Sequence, residues 1–392
     1  MISVFFILDE AYSLFPGGEG GPRFGGAGLQ MYLLADELSK DSELDVHWVF
    51  LSAWRPIGVS LLSHPRITIS NTLSSPEDER LRIGPLPIPF GRTARRFVRR
   101  ARGIEEPEAP CQSPYPKVFI SSIGGSAPFL LREAGRVDNA KTILRLSSDT
   151  DTINPRWCDR PRDEMFKLYR AIDRIVTQTN KQHDLLLENA SVKSTQISNM
   201  WPIPSNTPSY EREHVLWVAS AQALKQPWIF LNLAKQFPSE RFVMVMPVAN
   251  EVQLAEYVIR QASSVDNLTV IDEQVPLEEL VEYFAKAKVF VNTSEIEGFP
   301  NTFLQAGAAR TPILSFGINP DDMLNIHKMG ICADGDVDRL VEGLATLLGD
   351  ESLRKECGDN GFAYVREVHS SPIIAAQWKA LIMQLATLRR GE

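Results

Sequence analysis

The chain has 392 residues, 44% of them hydrophobic and 23% charged, with 41 Lys+Arg against 49 Asp+Glu and a net charge of −8. This balance excludes a disordered chain, and the acidic surplus makes nucleic acid an unfavourable partner. The length suggests two domains, each able to bury a core of its own. No apolar run approaches the roughly 20 residues of a membrane span. The run Ile2–Leu8 has no basic residues before it and continues into Asp9-Glu10, so it reads as a buried strand rather than a signal peptide. Cys111, Cys158, Cys332 and Cys357 are scattered without a CxxC pair. That spacing argues against a disulfide framework or zinc site and for reduced thiols in a cytoplasm.

Short apolar runs alternate with 3.6-period segments along the whole chain. Ser3–Leu8 is the first predicted strand. Phe24-Gly25-Gly26-Ala27-Gly28 then opens a helix over Leu29–Ser39. A Gly-Gly turn at a helix start brings backbone donors up to a phosphate or an acceptor, or serves simply as a flexible loop. The preceding run Gly17–Gly21 reads as a lip over a cleft. His47–Ser52 is the next strand, followed by an irregular stretch from Ser74 to Pro116 that holds eight of the 26 prolines. Inside it, Thr93–Arg102 is a short basic helix candidate. Strands follow at Lys117–Ser122, Thr142–Ser147, Arg174–Thr179 and Thr195–Asn199, with a helix at Pro161–Ile172. Pro202, Pro204 and Pro208 break any regular element over Met200–Glu213, as expected of a linker. Beyond it the strands are His214–Ser220, Arg241–Pro247, Leu268–Glu273, Lys288–Thr293 and Pro312–Phe316. Helices fall at Trp228–Phe237, Leu277–Lys286 and Val337–Leu348, and Pro372–Leu388 is amphipathic around Trp378. Strands alternating with helices imply βαβ units and parallel sheets, an α/β fold.

The segment Ala287–Pro312 carries the most chemistry. Its strand ends at Asn292-Thr293, the loop Ser294–Asn301 contains Gly298 and Pro300, and a helix follows from Thr302, where Thr302-x-x-Gln305 fits a capping box. Such a strand-to-helix edge favours anions, because free N–H groups and the helix dipole point at the ligand. The block Glu297-Gly298-Phe299-Pro300-Asn301 resembles the donor-site signature of retaining GT-B glycosyltransferases of family four. Their E-x7-E motif puts its first Glu on Glu297 and its second at Gln305. The resemblance implies two Rossmann-like doubly wound domains facing across a cleft. Residues 1–200 would bind the acceptor and 201–372 the nucleotide-sugar donor, with 373–392 a helix crossing back to the first domain.

By the same resemblance, Glu297 holds hydroxyls of the donor sugar, and the backbone of Gly298, Phe299, Pro300, Asn301 and Thr302 approaches the sugar and diphosphate. Gln305 stands where a Glu grips the ribose; an amide still accepts from a hydroxyl, though more weakly than a carboxylate. Gly26, with Gly25 next to it, matches the paired glycines that face the diphosphate. Lys225 matches a cation that neutralises the leaving nucleotide, whereas Ala219-Ser220 replaces the usual Gly-Arg pair, leaving Ser220 at that position.

Arg145-Leu-Ser-Ser-Asp-Thr-Asp151 follows a first-domain strand, where relatives often carry a His. Here Ser148 and Asp149 could orient the acceptor hydroxyl, or could form a turn capping the next element. Asp149-x-Asp151 matches a metal-binding DxD in spelling alone, and no metal or other cofactor is expected. The implied reaction is transfer of a sugar from a UDP- or GDP-type donor to a hydroxyl of a glycan or lipid-linked acceptor. A nucleotide-sugar 2-epimerase of the same fold, or a binding protein whose catalysis has decayed, are the alternatives. The arginines from Arg92 to Arg102 offer peripheral contact with anionic membrane, each charge worth about 1 kcal/mol there, or else a solvated helix.

Overall fold

Parallel strands covered on both faces need continuous apolar runs rather than alternation. β1 (Ile2–Ile7) is such a run, buried at every position. The structure is a computed structural model and describes residues 1–8, 12–15, 25–50, 63–71, 115–122, 127–137, 139–155, 161–203, 210–248 and 251–388. The Gly17–Gly21 run, the Thr93–Arg102 segment, Cys111 and Cys158 lie outside these residues. The chain divides into two compact units, Met1–Met200 with Ser371–Glu392, and Trp201–Ser370.

In the first unit β1 is joined by β2 (Leu44–Phe50), β3 (Thr68–Asn71), β4 (Lys117–Ser122), β5 (Ala140–Arg145), β6 (Arg174–Thr177) and β7 (Ser194–Gln196). The sheet order is β3-β2-β1-β4-β5-β6-β7 and every pairing is parallel. Helices α1 (Gly26–Leu38), α2 (Ala127–Ala134), α3 (Thr150–Ile153), α4 (Arg162–Tyr169) and α5 (Asn180–Ala190) connect the strands. Because successive strand residues point to opposite faces, Val4, Phe6 and Trp48 join one core while Phe5, Ile7 and Phe119 join another.

The second unit contains β8 (His214–Val218), β9 (Arg241–Val245), β10 (Leu268–Ile271), β11 (Ala287–Asn292), β12 (Ile313–Ser315) and β13 (Gly330–Cys332). Their order is β10-β9-β8-β11-β12-β13, again all parallel. Its helices are α6 (Pro227–Gln236), α7 (Val252–Ala262), α8 (Leu277–Ala285), α9 (Asn301–Ala308), α10 (Met323–Ile326), α11 (Val337–Gly349) and α12 (Glu351–Val368). Both orders reverse direction at the unit's first strand, the doubly wound Rossmann-like pattern. The last helix, α13 (Ser371–Thr387), belongs to the first unit. Trp378 and Ile382 enter the core shared with α1, and Lys379 Nζ bonds Asp41 at 2.6 Å and Glu43 at 2.5 Å.

The expectation of an α/β fold with two Rossmann-like domains is thus met. Two strands were not anticipated, β3 and β13, and both are sheet edges. No helix among the described residues is long and apolar enough to cross a membrane.

Candidate functional site

Ligands of open parallel sheets bind beyond the carboxyl ends of the strands, where the strand order reverses. In the second unit that point lies between the neighbours β8 and β11. The loop after β8 carries Lys225 and the loop after β11 carries Glu297. Beyond β8, half-buried Ser220 leads into a 3-10 turn over Ala223–Lys225. Gln226 then adopts φ +48 and Pro227 takes the first position of α6. The left-handed residue reverses the chain, and proline has no N–H to lose at a helix start. Lys225 is thereby delivered to the switch point.

There Lys225 Nζ pairs with Glu297 Oε1, the side chains only 17% and 19% exposed. Ser294 Oγ donates to the same carboxylate oxygen at 2.8 Å. Thr293 Oγ1 donates to the Lys225 carbonyl at 2.6 Å, and the Glu295 N–H donates to the Leu224 carbonyl at 2.8 Å. The two loops are therefore tied by backbone as well as by charge.

Gly298, Phe299 and Pro300 are buried, and the Phe299 ring centroid lies 4.9 Å from that of His369. Helix α9 starts at Asn301 with Pro300 as its N-cap at φ −65, and the Pro300 side chain makes no capping hydrogen bond. This corrects the Thr302-x-x-Gln305 capping box: proline's fixed φ starts the helix one residue earlier, and Thr302 sits inside the first turn. The positive end of the dipole is left to attract an anion.

Gln305 is buried, and among the described residues its Oε1 has no partner. It lines a cavity of about 470 Å³ together with Trp201, Tyr210, Leu280 and Phe284. None of the cavity's described lining residues comes from the loops holding Lys225 and Glu297. Arg212 is committed elsewhere: its guanidinium donates to the carbonyls of Phe284, Ala287, Ala309 and Arg310 and to Thr311 Oγ1, at the carboxyl ends of α8 and α9.

The remaining candidates belong to the first unit. Gly25 is the extended N-cap of α1 and Gly26 its first residue, both exposed; the Leu29 N–H bonds the Gly25 carbonyl at 3.0 Å. Ser148 Oγ accepts from the Thr150 N–H at 3.3 Å, a local turn bond. Asp149 is buried and does not cap α3 with its side chain; Oδ2 pairs with Lys181 Nζ at 2.7 Å. Its Oδ1 has no partner among the described residues.

Asp151 has a different task. Its Oδ2 accepts from the N–H groups of Ser147 at 2.9 Å and Ser148 at 2.8 Å, and burial pushes its carboxyl up to about 6. Nearby Arg145 is buried and bonded to Asn199 Oδ1, and burial lowers its guanidinium to about 10. No group of three or more His, Cys, Asp or Glu that could hold a metal ion occurs among the described residues. Sequence reasoning had assigned nothing to Ser294, Thr293 or the two-amide bond of Asp151. The Ser294-x-x-Glu297 spacing was the available signal for the first.

Residues 212–350, all in the second unit, match the family model for Glycosyl transferases group 1. The chain is 31% identical over 103 residues to the capsular polysaccharide biosynthesis glycosyltransferase CapM of Staphylococcus aureus, covering 26% of each protein. It spans about a quarter or less of the length of the curated relatives it matches. Solved structures match much more of it. A point mutant of S. aureus TarM, in complex with fondaparinux, alpha-GlcNAc-glycerol and UDP, aligns with a TM-score of 0.74 at 12% identity over 99% of this chain and 100% of that one. Sucrose-phosphate synthase of Thermosynechococcus elongatus aligns at 0.75 and 16% identity over 98% and 99%. At such identities the likeness establishes the fold, and that fold is the GT-B type of paired Rossmann-like domains.

Proposed function

We propose that the protein is a retaining glycosyltransferase that moves a sugar from a UDP- or GDP-type donor to a hydroxyl of a glycan or lipid-linked acceptor. The observation that carries this reading is the Lys225–Glu297 pair at the second unit's switch point, beside the start of α9. A nucleotide diphosphate would draw Lys225 and the α9 dipole, which offset the charge that grows on the leaving group. Glu297 would hold sugar hydroxyls, with the backbone of Gly298–Thr302 against the sugar and diphosphate. The uncommitted Gln305 amide oxygen would accept from a ribose hydroxyl. Gly25 and Gly26 would offer backbone donors to the diphosphate. The family match and the UDP bound in the TarM structure support a nucleotide-sugar donor.

In the proposed step the bond from the anomeric carbon to the phosphate oxygen breaks, its electron pair passing to the phosphate. The acceptor oxygen bonds the same face of the sugar, and its proton passes to the leaving phosphate. Ser148 and the free oxygen of Asp149 would orient that hydroxyl. Metal is not required, since Lys225 and the helix terminus supply the compensation.

The experiment is a thermal-shift screen of UDP- and GDP-sugars, followed by a nucleotide-release assay over an acceptor panel. A ligand at 100 times its Kd stabilises by about 2.7 kcal/mol. Lys225→Ala and Glu297→Ala should each lower turnover about tenfold or more. Full activity in both variants overturns the assignment, and an epimerised nucleotide-sugar formed without acceptor replaces transfer by epimerisation.

A further inference from the structure

We propose that Thr293 and Ser294 are positioning residues that separately fix the two ends of the donor site: Thr293 sets Lys225 and Ser294 sets Glu297. The inference rests on the donor reading above and goes beyond it by dividing that site into two independently supported arms.

Thr293 is fully buried, and its hydroxyl is used twice. It accepts from Trp217 Nε1 at 2.8 Å and donates to the Lys225 carbonyl at 2.6 Å. A hydroxyl carries one proton, so acceptance from the indole leaves that proton for Lys225 alone. The bond holds the end of the 3-10 turn against β11, and with it the root of a long, flexible lysine side chain. Lysine has many rotamers to lose when it meets a phosphate, so fixing its backbone determines which of them reach the ligand.

Ser294 is the next residue along the chain. It is 2% exposed. Its N–H donates to Asn292 Oδ1 at 3.2 Å and its Oγ donates to Glu297 Oε1 at 2.8 Å. Lys225 and Ser294 therefore converge on one carboxylate oxygen. Among the described residues Oε2 of Glu297 carries no hydrogen bond, so it is the oxygen available to a sugar hydroxyl. When a diphosphate draws Lys225 away, the Ser294 hydroxyl alone still aims the carboxylate. The Ser294 bond belongs to the sugar-reading arm, and the Thr293 bond to the phosphate-reading arm.

The test is calorimetric titration of UDP, UDP-glucose, GDP and GDP-mannose into the full chain, read on whichever nucleotide pair the wild type binds. Ser294→Ala should leave affinity for the free nucleotide within about twofold and weaken the nucleotide-sugar by about tenfold, the lower end of the scale of one lost hydrogen bond to a charged group. Thr293→Val should weaken nucleotide and nucleotide-sugar alike by about fivefold, and Thr293→Ser should restore both. A general loss of packing would not separate the two ligands or be reversed by serine. Should Thr293→Val unfold, Thr293→Ser and Ser294→Ala still decide. A wild type that binds none of the four ligands overturns the donor reading and the two-arm assignment together. Binding by the wild type with no ligand-selective effect of Ser294→Ala overturns the two-arm assignment alone.

Discussion

Asp149 and Asp151 lie two residues apart and do opposite things with their charge. Asp149 gives one oxygen to Lys181, and its other oxygen has no partner among the described residues. Asp151 turns inward and holds the backbone that presents Asp149, accepting two N–H bonds on one oxygen. Burial pushes its carboxyl up to about 6, so the folded chain retains a proton there that the unfolded chain has released. Its contribution is therefore present in full below about pH 4. It is lost as pH rises towards 6 and is flat above, a swing of about 3 kcal/mol at most. Asp151→Asn keeps an oxygen for the same two bonds and cannot titrate. Urea midpoints for the first unit between pH 4 and 7 should lose this downward slope in the variant. An unchanged slope would place the titration elsewhere.

The helix that opens at the candidate site is held from behind by glycine. A Cβ on Gly307 of α9 would lie 2.6 Å from Val365 Cγ2, and one on Gly358 of α12 would lie 2.2 Å from the Arg310 carbonyl. Glycine inside a helix costs about 1 kcal/mol relative to alanine, and here the close approach of the two helices offsets that. Gly358→Ala forces backbone against backbone and should destabilise the second unit by about 3 kcal/mol, displacing α9 and weakening nucleotide binding as well. Gly349→Ala, with nothing within 4 Å of its Cβ, should be neutral in both melting and binding assays. Equal effects of the two would contradict the packing argument. Elements of this kind were legible in the sequence where burial was deep: β1 and β11 are apolar runs because both faces of the sheet are covered. The edge strands β3 and β13 were not, since Ile69 is the only apolar residue of the first and the second opens on Gly330, which leaves little strand signal. At the site, Lys225 and Glu297 were legible through the family resemblance that the block Glu297-Gly298-Phe299-Pro300-Asn301 carries. The Thr293 and Ser294 hydroxyls were not, because the same residues form ordinary turns throughout the chain.

At the scale of the molecule, two separately cored units share one chain that passes between them twice, at Met200–Trp201 and Ser370–Ser371. Each unit also carries a buried ionisable group of opposite sign in its effect on stability. In the second unit, burial pushes His214 down to about 4, against the pull of the Tyr283 carbonyl that its Nε2 faces at 3.1 Å. The unfolded imidazole takes its proton near 6.5, so the stabilising difference is full above that pH and is lost as pH falls towards 4. Between pH 7 and 5 this removes about 2 kcal/mol from the second unit, while Asp151 adds about 1 kcal/mol to the first. For domains of this size 1 kcal/mol moves a melting midpoint by about 2–4 °C. Calorimetric scans at pH 7 and 5 should therefore show one transition moving up and the other moving down, each by a few degrees, beyond any shift they share. His214→Asn should abolish the downward movement and leave the upward one, and Asp151→Asn should do the reverse. Transitions that move together in all three proteins would mean that the units unfold as one, and that the charge in each core is felt by the whole.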